Sequence, residues 1–134
     1  MKAVIFSLVA LLIIGSMSVS AQSQKESTKS NIMKGYLIDK MCGNPMSEKS
    51  PEEAMAKASK HTKACAMAEG CAASGYGLLM NGKWVPFDEA GSKKAAEYLN
   101  KSKAVNHLYV AVSGKITDDK ISVISIKESK EKVD

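Results

Sequence analysis

The chain contains no arginine, so all 19 of its basic residues are lysine. Arginine is the side chain that grips phosphate and base edges through a planar fork, and its absence weighs against nucleic-acid recognition. The formal net charge of +5 is therefore read as a solvated lysine surface rather than a binding patch. Aromatic residues make up only 5% of the chain, which leaves few candidates for a stacking platform. The three cysteines form neither C-x-x-C nor C-x-x-C-H, so a thioredoxin-type dithiol and a covalently attached haem find no support. No repeat or low-complexity array is present, and beyond Ile14 no long apolar run occurs.

The one long apolar run lies at the start. Lys2 precedes a mostly apolar stretch from Ala3 to Ile14, and Val19, Ser20 and Ala21 supply small residues for cleavage. This is the pattern of a secretory signal peptide over residues 1–21, too short in its apolar part for a permanent membrane span. It predicts an exported protein, periplasmic or secreted, with no integral membrane anchor after cleavage. Removing 21 of 134 residues leaves 113, enough for one small domain. Residues 22–31 read as a flexible polar leader, 32–128 as the domain and 129–134 as a charged tail.

Within the domain, "KGYLIDKMCG" reads as a strand ending near Cys42, with Tyr36 and Ile38 on one face and Leu37 on the other. Ser50, Pro51 and Glu53 form a capping box that starts a helix at Pro51. That helix either continues to Gly70 or breaks near Ser59. Asn81-Gly82 marks a tight hairpin between residues 76–80 and 83–87, with Pro86 assigning the second strand to an edge. A short helix capped by Ser92 follows, burying Ala95, Tyr98 and Leu99. A second hairpin turns at Asp118 and Asp119, with a bulge at Gly114. The fold class is thus mainly β with helices (α+β): a five-stranded OB-like small barrel, with a helical insert between strands 1 and 2 and a short helix between strands 3 and 4. An open α+β sheet is the competing architecture.

The chemistry-bearing residues cluster around the insert. Cys42 and Cys71 stand at its two ends, and His61 and Cys65, four apart, would share a helix face. Three readings are open. A disulfide from Cys42, with Cys71 as its natural partner, closes a loop of roughly 24 to 30 residues and contributes about 3 kcal/mol, but strands one thiol. A metal site made of Cys42, His61, Cys65 and Cys71 offers three sulfurs and one imidazole, suited to Zn²⁺ or Cu(I). A reactive Cys65 thiolate paired with His61 would make a thiol-redox enzyme, but no third residue orienting the histidine can be identified.

Asp39 is a candidate outer-sphere acceptor for the His61 ring. Met41 and Met67 are possible soft ligands, Met46 lies nearby, and methionines are also ordinary core fillers. His107 reads as an exposed histidine without a role. Trp84 and Tyr76 flank the first hairpin, as a stacking platform or as barrel packing.

Three stretches carry a resemblance: "GYLIDKMCG" at 35–43, "HTKACAMAEGCAASGYG" at 61–77 and "VSGKITDDKISVISI" at 112–126. The chain resembles a group of small secreted bacterial proteins with a D-x-x-C-G opening followed by a histidine and two cysteines. The resemblance implies an OB-like barrel, export, and one constellation formed by Cys42, His61, Cys65 and Cys71. It carries no activity, and the longer insert at 44–60 departs from the group's pattern. The expectation is a non-enzymatic, exported metal-binding protein. Its rival is a disulfide-stapled interaction module for an envelope protein.

Overall fold

The computed structural model describes residues 30–131; the expected signal peptide and nearly all of the leader lie outside them. The described chain is α+β, built on a five-stranded antiparallel sheet in the order β3-β2-β1-β4-β5. The central strand is β1 (Asn31–Asp39). It pairs with β2 (Tyr76–Met80) on one side and β4 (Tyr109–Thr117) on the other. The edges are β3 (Lys83–Pro86) and β5 (Lys120–Glu128). The ladder does not close into a barrel; the two edge strands approach through a single parallel bridge, Phe87 with Ile121.

Alternation along β1 builds two cores. Leu37 faces Leu78, Leu99, Val110, Val112 and Ile121, while Tyr36 and Ile38 face Leu79 and Trp84. A strand that is central in sequence pairing and buried on both faces explains why residues 35–39 show no polar alternation. The helix α5 (Glu89–Lys101) covers the first core through Ala95 and Leu99. The second core is covered by α2 (Pro51–Lys60), which lays Ala54 and Ala58, one turn apart, onto Tyr36 and Ile38.

Turn chemistry fixes both hairpins. Asn81 and Gly82 have φ of 50° and 80°, and Asp118 and Asp119 have φ of 50° and 60°, the left-handed pairs that type I′ turns require. The register of β4 against β5 shifts between Ser113 and Gly114, where a Cβ on Gly114 would stand 2.3 Å from the Ser122 carbonyl oxygen.

Several expectations are corrected. The first strand ends at Asp39, and Cys42 sits instead in a helix, α1 (Lys40–Ser47), that carries Pro45. Of the two readings for the helix that starts at Pro51, the break near Ser59 is the one found: it stops at Lys60, and two short helices follow, α3 (Lys63–Ala66) and α4 (Glu69–Ala73). The cap of α5 is Asp88, whose carboxylate accepts from the Gly91 amide at 2.7 Å, while the Ser92 hydroxyl accepts from Tyr76 N. The charged tail is anchored where it begins: Ser129 N donates to the Tyr109 carbonyl. The Tyr36 hydroxyl donates to the Glu131 carboxylate.

Candidate metal centre

The insert between β1 and β2 leaves and re-enters the sheet at neighbouring points, because Asp39 pairs with Tyr76 and Lys40 N donates to the Gly75 carbonyl. Everything carried by α1 to α4 is therefore held over one end of β1. Asp39 is fully buried and caps α1, its Oδ1 accepting from Cys42 N at 3.1 Å. This cap places Cys42 in the first turn, beside the aspartate rather than along the strand.

The helix break puts the remaining residues in place. His61 ends α2 with extended backbone (φ −64°, ψ 131°), so it does not share a helix face with Cys65, contrary to the four-residue spacing. The cause is tertiary. Thr62 bridges to Asn106, Lys63 N donates to the Val105 carbonyl, and the Lys63 ammonium donates to the Ser102 carbonyl at 2.8 Å. The chain is pulled straight across that loop, and Thr62 then caps α3 by accepting from Cys65 N at 3.1 Å.

Tyr76 holds α3 from below: its hydroxyl, on a residue 3% exposed, donates to the Ala66 carbonyl at 2.9 Å. Sequence reasoning missed this role, although a tyrosine in an otherwise apolar strand segment is a signal that a buried acceptor awaits it. Ser74 accompanies the turn after Cys71, donating its hydroxyl to the Cys71 carbonyl at 2.7 Å.

Two groups of donor atoms result. The sulfurs of Cys42, Cys65 and Cys71 all lie within 4.8 Å of one another, and so do donor atoms of Asp39, Cys42 and His61. Cys42 belongs to both groups, and His61 does not join the three sulfurs in one four-membered set. No disulfide joins Cys42, Cys65 or Cys71 among the described residues, so the pairing of Cys42 with Cys71 that the sequence left open finds no support.

The electrostatics follow from burial and crowding. Burial pushes the Cys42 thiol up to about 12, aided by the Asp39 charge and the neighbouring Cys65 and Cys71. The Cys71 thiol is raised as well, by desolvation first and then by Asp39 and Cys65. Asp39 is pulled in both directions. Its burial is the largest single influence and acts upward, but His61 and the Cys42 amide together hold its carboxyl below the usual range.

Asp39 Oδ2 and His61 Nε2 stand 3.2 Å apart, yet not in hydrogen-bond geometry. Asp39 Oδ2 and both ring nitrogens of His61 are buried without a hydrogen-bond partner. Asp39 Oδ2 and His61 Nε2 at least face each other as a charge pair, whereas His61 Nδ1 has no partner at all, a burial that costs about 1–3 kcal/mol.

The other candidates are placed as follows. Met41 and Met67 are 59% and 37% exposed, and a Cβ on Gly70 would stand 3.9 Å from the Met41 sulfur. Met46 packs against the second core. Trp84, 8% exposed, donates its indole N–H to the Ile38 carbonyl at 3.1 Å, so its ring is committed to packing. Trp84 and Tyr76 together line a groove of about 540 Å³ with Lys40, Phe87, Glu89 and Lys93. His107 stacks edge-on against Tyr36 at 5.1 Å, with Nε2 3.6 Å from a Glu131 carboxylate oxygen. It thus belongs to a contact network at a distance in sequence from the cysteines.

Comparison with protein-family models, with characterised proteins and with solved structures finds no match to this chain.

Proposed function

We propose that this is an exported, non-enzymatic metal-binding protein that holds Zn²⁺ or Cu(I) through Cys42, Cys65 and Cys71. The observation that carries the reading is the convergence of three free sulfurs, brought from α1, α3 and α4 to within 4.8 Å of one another. Tetrahedral Zn–S bonds of about 2.3 Å put ligand sulfurs about 3.8 Å apart, and a trigonal Cu(I) site needs a similar separation. Small side-chain adjustments reach either arrangement. His61 enters such a site only from the Asp39 side of Cys42, so three thiolates are its constant part.

The raised Cys42 and Cys71 thiols fit metal ligands better than nucleophiles. A catalytic cysteine needs a lowered pKa, whereas burial and neighbouring charge favour the protonated forms of these two. A cation reverses that balance by displacing the protons and neutralising the sulfurs together. The rival reading is a stapled interaction module, and no disulfide joins the three cysteines among the described residues. We read the surrounding sheet as an OB-like barrel left open between its edges, on the strand order and the Phe87–Ile121 bridge.

The test is elemental analysis and intact mass of protein recovered from the exported fraction without added metal. The expected result is stoichiometric zinc or copper, with all three thiols reduced and shielded from alkylation. Metal-free protein lighter by two mass units would refute it.

A further inference from the structure

We propose that Asp39, Cys42 and His61 form a second cation position next to the three-sulfur one, that the Cys42 sulfur is shared between them, and that this position takes Zn²⁺. The inference rests on the metal-binding reading of the three sulfurs and adds to it a second ion and its donors.

Three observations carry it. The two donor groups share Cys42, and His61 is grouped with Asp39 rather than with the three sulfurs. The histidine stands with the carboxylate. Next, Asp39 and His61 are 0% and 7% exposed, and Asp39 Oδ2 and both imidazole nitrogens lack hydrogen-bond partners. An imidazole nitrogen and a carboxylate oxygen that face each other inside a buried pocket are oriented as two ligands of a common ion would be. Their separation of 3.2 Å matches the edge of a tetrahedron with Zn–N and Zn–O bonds of about 2.0 Å, which is about 3.3 Å.

The third is charge. Once deprotonated, the donors of the two groups comprise three thiolates, one carboxylate and one neutral imidazole. They bring four negative charges into a partly buried pocket. One Zn²⁺ leaves two of them uncompensated, and two neutralise them all, which in a low-dielectric setting favours the doubly loaded state. The donor chemistry fits the assignment, since imidazole, carboxylate and thiolate together are the mixed set that Zn²⁺ accepts. With three protein donors, the second position also retains room for an exchangeable ligand, as open zinc sites do.

The experiment titrates metal-free, fully reduced protein with Zn²⁺ and counts bound ions by mass spectrometry under non-denaturing conditions. The wild type is compared with Asp39→Asn and with His61→Gln. Asparagine caps a helix as well as aspartate, so the first variant keeps α1 and its far-UV circular dichroism provides the folding control. Two Zn²⁺ per wild-type chain and one per variant chain, with the three thiols still shielded in the variants, is the expected result. One Zn²⁺ in the wild type that both variants keep overturns the second position and leaves the three-sulfur reading intact; one that both variants lose overturns the pair of positions and the three-sulfur reading with it. Two in every protein overturns the assignment to Asp39 and His61. No Zn²⁺ bound to any of them removes the thiolate-bridged pair of zinc ions, and a parallel Cu(I) titration then decides whether the three-sulfur reading falls with it.

Discussion

Replacing Gly43 with alanine sets two effects of opposite sign against each other. Gly43 lies inside α1, and alanine in a helix interior is favoured over glycine by about 1 kcal/mol. A methyl group there would stand 2.4 Å from Trp84 Cδ1 and 2.5 Å from Nε1. The indole has little room to move: a Cβ at Gly77 would also meet the same ring, at 2.5 Å, so the ring packs closely against two bare backbones. Overpacking of this kind costs about 1–3 kcal/mol. Displacing the ring also breaks the buried bond from Nε1 to the Ile38 carbonyl, a further 1–3 kcal/mol or so. The net expectation for Gly43→Ala is a loss of about 3 kcal/mol. In a domain of this size that lowers Tm by about 10–20 °C. Thermal unfolding by circular dichroism measures the loss, and the chain's single tryptophan gives a second readout, a red-shifted emission in the folded variant. A Tm at or above the parent's would refute the reasoning, because helix propensity would then have prevailed over the contact.

Tyr76→Phe leaves the Ala66 carbonyl without its donor and is expected to cost about 1–2 kcal/mol, and to weaken metal binding through α3 and Cys65; chemical denaturation and a competitive chelator titration measure the two effects. Tyr36 is raised above its ordinary value of 10.0 by burial first and by the Glu131 bond and charge next. Its proton is retained longer in the folded state than in the unfolded one, so stability should be unaffected below pH 10 and fall as pH rises beyond it. In Glu131→Gln the decline should be shallower and Tyr36 should ionise at lower pH in an ultraviolet titration; identical curves would show that Glu131 does not act on the phenol. If the three sulfurs hold an ion, saturation at a thousand times Kd should add about 4 kcal/mol to folding, and chelation should remove it, visible as a Tm that depends on free metal.

Much of the fold was legible because its signals are local. Ser50-Pro51-Glu53 starts a helix with groups only three residues apart, and Ser50 does accept from Glu53 N. Asn81-Gly82 and Asp118-Asp119 tolerate the left-handed backbone their turns need. The alternation of Tyr36, Leu37 and Ile38 assigned each to its face before any neighbour was known. What was not legible depended on distant partners. In α1, Gly43 and Pro45 are poor helix formers, and the helix exists because Asp39 caps it and Trp84 packs on Gly43. The open sheet, too, is a matter of how closely two edges far apart in sequence approach.

For the site, composition and spacing alone determined which residues were available: three cysteines, one nearby histidine and Asp39, on an insert between two strands that pair. Their grouping was decided by tertiary structure. A helical period places His61 beside Cys65 if the helix is continuous, but docking of Thr62 and Lys63 onto residues 102–106 breaks it. Hydrogen bonds to a loop forty residues away thereby send the imidazole to the buried carboxylate and Cys65 to the other sulfurs, because the chain meets those long-range acceptors only in the extended form.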